Sequence, residues 1–186
     1  MRKLEKSSSD LYGKELGLEY DRVEIVPYIS EWKKIYEKEE QLLYSVLEGY
    51  NVDIRHIGST SIPGLAAKPI IDIMIGFKNL DSTRECTLEI IELGYYYFGE
   101  CGRPGRKFFV KTQQGLTTHH LHIVEKGSKY WENNLLFKDI LTNNSKIAQE
   151  YENLKKDLAR KYRNDRDAYK ENKSNFIDNV LSGLYF

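Results

Sequence analysis

Residues 69–77, PIIDIMIGF, constrain this chain more than any other stretch. They read as its strongest strand: apolar but for one acid, Asp72, and preceded by a turn-rich segment. Side chains alternate across a strand, so Ile71, Ile73, Ile75 and Phe77 share one face, and Ile70, Asp72, Met74 and Gly76 share the other. The first set is the core face, which sends Asp72 and Met74 the opposite way. On 118–125, assigning Leu121 and Ile123 to the core, along with His119 and Glu125, puts Thr118, His120, His122 and Val124 on the second side. On 107–112, Phe108 and Val110 are assigned to the core, with Lys107, Phe109 and Lys111 opposite. In one sheet, Asp72, His120, His122, Lys107 and Lys111 would then share a face. A carboxylate and two imidazoles suit a divalent metal, and the flanking cations suit a polyphosphate. The alternative is a solvated sheet face that collects polar residues.

Other elements follow from period and punctuation. Residues 1–20 are polar without a clean period and are expected to form a flexible or loosely docked lead-in, with one domain over 21–186. Residues 22–27 alternate and predict a short edge strand ending at Pro27. Ser30 is expected to cap a helix through about residue 48. Residues 52–57 read as a strand, 82–93 as a helix closed by Gly94, and 95–98 as a strand. The strands KFFVKT and THHLHIVE are joined by a QQG turn. From about residue 130 the chain is helical, in three stretches: 130–141, 146–162 and 166–182. The expected fold is α+β: a mixed sheet of about five strands, helices packed on one face, and a C-terminal helical segment.

The charge balance narrows the partners. Among 186 residues, 28 Lys and Arg offset 28 Asp and Glu, so net charge does not indicate a general nucleic-acid binder, which needs a basic field. Residues 100–111 are locally basic beside a Pro-Gly turn, through Arg103, Arg106, Lys107 and Lys111. The basic stretch 155–166 reads as a solvated helix face. No apolar run is long enough to span a membrane, and the N-terminus has no signal-like h-region. Cys86 and Cys101, without metal or disulfide spacing, suggest a reducing cytoplasm.

Several motifs compete. The Gly58-Ser59-Thr60 turn can aim backbone N–H groups and a hydroxyl at phosphate oxygens. It is not a Walker A loop, because Leu65, not Lys, follows Gly64. His120-Leu-His122-Ile-Val124 approaches the alternating histidines of histidine-triad hydrolases, but Val124 replaces the third. A two-histidine phosphoesterase would need a second His-x-Thr or His-x-His element, which His56 does not provide. Ser59 lacks the flanking glycines of a hydrolase elbow.

The run HIGSTSIPGLAAKPIIDI resembles the signature of the GrpB family, a bacterial group in the nucleotidyltransferase superfamily. PYISEWKKIYEKE, GRPGRKFFVK and HHLHIVEKGSKYWENNLLFKDIL resemble further family segments in the same order, so the resemblance runs from about 22 to 182. It implies a nucleotidyltransferase-like fold in which Gly58, Ser59 and Thr60 grip phosphate and Asp72 is the first acid of a metal-binding pair. A nucleoside triphosphate and Mg²⁺ or Mn²⁺ would then serve nucleotidyl transfer to an acceptor. Arg106, Lys107 and Lys111 would steady a triphosphate or other phosphorylated ligand. Met74 stands where the second acid belongs, and a thioether is a poor ligand for a hard cation. His120 and His122 would shift preference toward a transition metal. The alternative is a catalytically silent nucleotide-binding or regulatory module of the same fold.

Overall fold

The computed structural model describes residues 15–80 and 83–183. The elements are α1 (Glu31–Val46), β1 (Asp53–Ile57), β2 (Ile71–Phe77), α2 (Thr83–Glu92), β3 (Tyr95–Tyr97), β4 (Arg106–Gln113), β5 (Leu116–Glu125), α3 (Lys129–Asn143), α4 (Ser145–Lys161) and α5 (Arg166–Leu181). The five strands form one sheet in the order β1-β2-β5-β4-β3. β2 and β5 run parallel, and the other neighbours are antiparallel. This is the expected α+β architecture, and its apolar β2 is buried between two partners as its composition demands.

The core face holds Ile71, Ile73, Ile75, Leu121 and Ile123 under Trp32 and Leu43 of α1 and Cys86 and Ile90 of α2. The second face is not simply solvated. Trp131 of α3 packs there with Ile57, Met74 and Val124. Gly76 makes room for it, since a Cβ at that position would lie 2.6 Å from the indole ring. α4 and α5 continue over the turn after β1, burying Ile62, Leu65, Ile147, Tyr151, Phe176 and Val180 together. Thus α1 and α2 back one face, and the C-terminal helical segment lies across the other.

Local chemistry explains the boundaries. Ser128, Asn144 and Asp165 cap α3, α4 and α5 by accepting from Trp131, Ile147 and Ala168 backbone N–H groups. The β4–β5 turn places both Gln114 and Gly115 at positive φ, 52° and 79°, the geometry of a tight hairpin connection.

Five expectations need correction. Residues 22–27 form no strand: Val26 makes a lone bridge to Ala67, because its neighbour is a turn that offers no ladder. Ser30 is itself helical and its hydroxyl bonds the Glu31 carboxylate, so it does not cap α1. The break between α3 and α4 is one residue, Asn144. The faces of β4 are reversed: Phe109 is fully buried in the core, and Lys107 and Lys111 lie on that same side. Three consecutive apolar residues, 108–110, left the alternation ambiguous, and pairing with β5 decides it. Lys155, assigned to a solvated face, is 2% exposed. As for the lead-in, residues 1–14 lie outside the described residues. Leu16 is buried, and Gly17 N–H donates to the Pro69 carbonyl at 2.7 Å.

Candidate nucleotide site

The parallel β2–β5 register sets Asp72 directly beside His120 and Met74 beside His122. His120 Nδ1 lies 2.9 Å from Asp72 Oδ1. On its far side, Arg166 Nη2 at the start of α5 is 3.2 Å from His120 Nε2. Arginine can only donate, so Nε2 accepts and Nδ1 carries the proton toward Asp72. The three groups form a line from strand to helix. Burial lowers the His120 pKa against the pull of Asp72. For Asp72, burial acts to raise the pKa, but the His120 hydrogen bond and nearby positive charge win and hold it below the usual carboxylate range.

The turn after β1 presses against the same carboxylate. Gly58 has φ 70° and ψ −178°, a conformation reserved for glycine. A Cβ there would sit 2.5 Å from Asp72 Oδ2. The next three residues, Ser59–Ser61, make one 3₁₀ turn. Ser59 Oγ accepts from Lys155 Nζ at 3.0 Å, and the same ammonium donates to the Ala66 carbonyl. Thr60 turns away: its hydroxyl donates to the Ile70 carbonyl and lies 3.1 Å from His56 Nε2. His56 in turn stacks on Tyr36 at 4.4 Å between centroids. Gly58 therefore borders Asp72 and Ser59 meets Lys155, while Thr60 is part of the core-side packing.

Three further cations gather here. Lys68 lies 5.5 Å and Lys173 5.8 Å from the Tyr169 ring centroid, and Lys155 lies 4.7 Å from that of Tyr151. Burial pushes the pKa of Lys68 down to about 7, aided by Lys173 and Arg166. Burial also takes Lys155 down to about 7, aided first by Lys173. Lys173 moves the other way, raised chiefly by Tyr151 and also by Tyr169 and Asp72. Lys68 and Lys173 thus act on the Asp72 carboxylate, Arg166 is linked to it through His120, and Lys155 lies with Lys68 and Lys173 at the Ser59 turn.

Sequence reasoning missed these lysines, although a signal existed. Tyr151, Lys155 and Leu158, and likewise Tyr169, Lys173, Phe176 and Val180, fall on single helical stripes. A lysine inside an apolar stripe points inward.

The predicted basic residues divide. Arg106 is buried on the site's face, but its fork is occupied by the Glu100 and Cys101 carbonyls and by His122 Nδ1 at 3.3 Å. Lys107 reaches the Thr83 carbonyl and Thr87 hydroxyl, and Lys111 pairs with Glu39 at 2.7 Å. Both lie across the sheet from Asp72, which corrects their placement beside it.

The expected metal ligands can be tested by their donors. His120 has its two nitrogens engaged by Asp72 and Arg166. His122 Nδ1 faces Arg106 and the Tyr130 hydroxyl, the latter at 3.1 Å, and burial lowers its pKa to about 3. Met74 is sealed in the apolar cluster with Trp131. Among the described residues, no three His, Cys, Asp or Glu side chains converge on one point. This donor set does not fit a resident two-metal centre.

A family model described as GrpB protein matches residues 22–182. The glutamate-rich protein GrpB of Alkalihalophilus pseudofirmus is 37% identical over 173 residues, covering 91% of this chain and 99% of the relative. The crystal structure of the conserved protein GrpB from Enterococcus faecalis superposes with a TM-score of 0.77 at 31% identity, over 88% of this chain and 100% of that one. The Cid1 poly(U) polymerase, in a form bound to MgATP, is similar at a TM-score of 0.52 and 14% identity, over 73% of this chain and 44% of that one. The last likeness concerns the fold alone.

Proposed function

The chain belongs to the GrpB family, and from that premise we propose that it binds a nucleoside triphosphate, or a similarly polyphosphorylated small molecule, in the cleft between the turn after β1, Asp72 and helices α4 and α5. One observation carries the reading: Lys68 and Lys173 act on the Asp72 carboxylate, Arg166 is linked to it through His120, Lys155 holds Ser59 of the adjoining turn, and two of these cations are disfavoured by burial. Like charges held together out of water gain most from a multivalent anion. Gly58 and Ser59 supply the close backbone approach that a phosphate needs. The similarity of the fold to a polymerase bound to MgATP supports the same ligand class.

Calorimetric titration of the full chain with ATP, GTP, CTP, UTP and inorganic tripolyphosphate tests this, with Mg²⁺, with Mn²⁺ and with neither. Binding in the micromolar range is expected, weakened by Lys155→Met. A folded protein that binds none of them would sink the reading.

A second reading, nucleotidyl transfer, is favoured by the Asp72–His120 pair. An imidazole whose Nδ1–H is held by a carboxylate presents Nε2 as a base, once Arg166 turns to a phosphate. The acceptor hydroxyl would give its proton to Nε2 while its oxygen bonds to the α-phosphorus. Pyrophosphate would leave with the electrons of the broken P–O bond. Pyrophosphate release from a triphosphate, lost in His120→Gln with ATP binding retained, is the expected signature. Retained binding with no release in the parent protein favours the silent module, which the burial of Met74 supports.

A further inference from the structure

Helix α3 covers only part of the sheet's second face. Toward the β4–β3 edge that face carries Tyr96 and Phe98, 61% and 50% exposed. Tyr96 pairs with Val110, and Phe98 N–H donates to the Phe108 carbonyl at 2.8 Å, which puts both rings on the side of Asp72. From Phe98 a row of rings leads back to the cleft. Centroids are 6.4 Å apart for Phe98 and Phe108, 5.1 Å for Phe108 and His122, and 5.9 Å for His122 and Tyr130.

Guanidinium groups interleave with this row. Arg106 lies 4.8 Å from the Phe108 centroid and Arg103 5.5 Å from that of Tyr130. Arg103 is exposed, and Glu100, the acid of the same loop, accepts from Gly105 N–H at 2.8 Å. Two exposed rings, Tyr96 and Phe98, heading a row that continues through half-buried Phe108 and Tyr130 to exposed Arg103 and the cationic cleft, match a chain that alternates flat apolar faces with negative charge.

We propose that this open half of the sheet binds the end of a single-stranded nucleic acid, its bases stacked on Tyr96, Phe98 and Phe108 and its phosphates against Arg103 and the cleft. The proposal rests on the nucleotide-site reading in one respect, that the row of rings ends at that cleft. The balanced net charge is compatible with it, because a grip on one strand end uses a few local cations rather than a basic surface. Its salt dependence is accordingly mild, with a log–log slope of roughly −1.4 to −2.1 for two or three phosphates.

The test is fluorescence anisotropy of the full chain with 5′-labelled ten-nucleotide RNA and DNA of mixed sequence, beside calorimetry with tripolyphosphate. Binding of either oligonucleotide is expected, weakened about fivefold or more by Phe98→Ala and by Tyr96→Ala. Tripolyphosphate affinity stays unchanged in both variants, which also reports an intact fold. Three results overturn the proposal: tripolyphosphate binds but neither oligonucleotide does; the variants bind the oligonucleotide as the parent does; or light scattering shows a dimer that Phe98→Ala dissociates, placing a second copy on the face. Failure of tripolyphosphate alone, with oligonucleotide binding still sensitive to Phe98→Ala, counts against the cleft reading and leaves this one standing.

Discussion

The His120 hydrogen bond and nearby positive charge hold the Asp72 carboxyl below the usual carboxylate range, and its placement constrains its neighbours. Gly58 is the clearest case, because its backbone conformation and its distance to Asp72 both exclude a side chain. Gly58→Ala is expected to lose roughly 1–3 kcal/mol of stability, read from urea denaturation. Lys155 behaves differently. It is buried and its pKa is depressed, so replacing it with an apolar side chain of similar length removes a desolvated charge along with its bonds to Ser59 and Ala66. Lys155→Met is expected to change unliganded stability by no more than about 1 kcal/mol, while tripolyphosphate affinity falls about tenfold or more, the loss of one charge-assisted contact. Calorimetry and thermal denaturation on the same sample check both. At this scale the sequence was half legible. Alternation alone put Asp72, His120 and His122 on one face, because a period of two leaves no freedom once the isoleucines choose the core. Arg166 and Lys173 were not legible as partners of that face, since nothing local says that the last helix folds back across β5.

Elements meet at contacts where a single atom decides the fit. Gly76 lets α3 lie on β2, with the Trp131 ring where a methyl would be. Gly76→Ala is expected to lift the helix and to cost about 1–3 kcal/mol through overpacking. A red shift of tryptophan fluorescence and a lower melting temperature would record it, and an unchanged melting temperature would count against the packing argument. The same scale shows why β4 was misassigned. Its three consecutive apolar residues satisfy either phase of alternation, and only the hairpin at Gln114 and Gly115, with a register shift between Lys111 and Thr112, selects one. Capping was uneven for a related reason: Asn144 and Asp165 cap because the chain arrives extended, whereas the backbone at Ser30 is already helical.

Across the whole molecule, the buried bases act in the same direction. Burial lowers the pKa of His56 to about 3, of His119 to about 4 and of His122 to about 3, and that of Lys68 and Lys155 to about 7. Each binds more protons when unfolded, so each contributes stability that is lost as pH falls through its folded value. The lysines act between pH 7 and 10.5, and the histidines between pH 6.5 and about 3. The unliganded melting temperature is therefore expected to rise from pH 4 to about 9, where buried Cys86 and the buried tyrosines, whose pKa values burial raises, begin to act the other way. Tripolyphosphate, which favours protonated lysines, should stabilise the protein most near pH 6 and least near pH 9, with proton uptake on binding near pH 8. A flat pH profile would contradict the burial of these groups. The β2–β5 pairing also carries a kinetic consequence. Asp72 and His120 are 48 residues apart in the chain, so no nascent fragment ending before β5 can close the sheet, and the tight β4–β5 hairpin can form well ahead of it. Pulse-labelled hydrogen exchange should find β5 amides that face β4 protected before those that face β2, so that the carboxylate and its imidazole partner are joined late in folding.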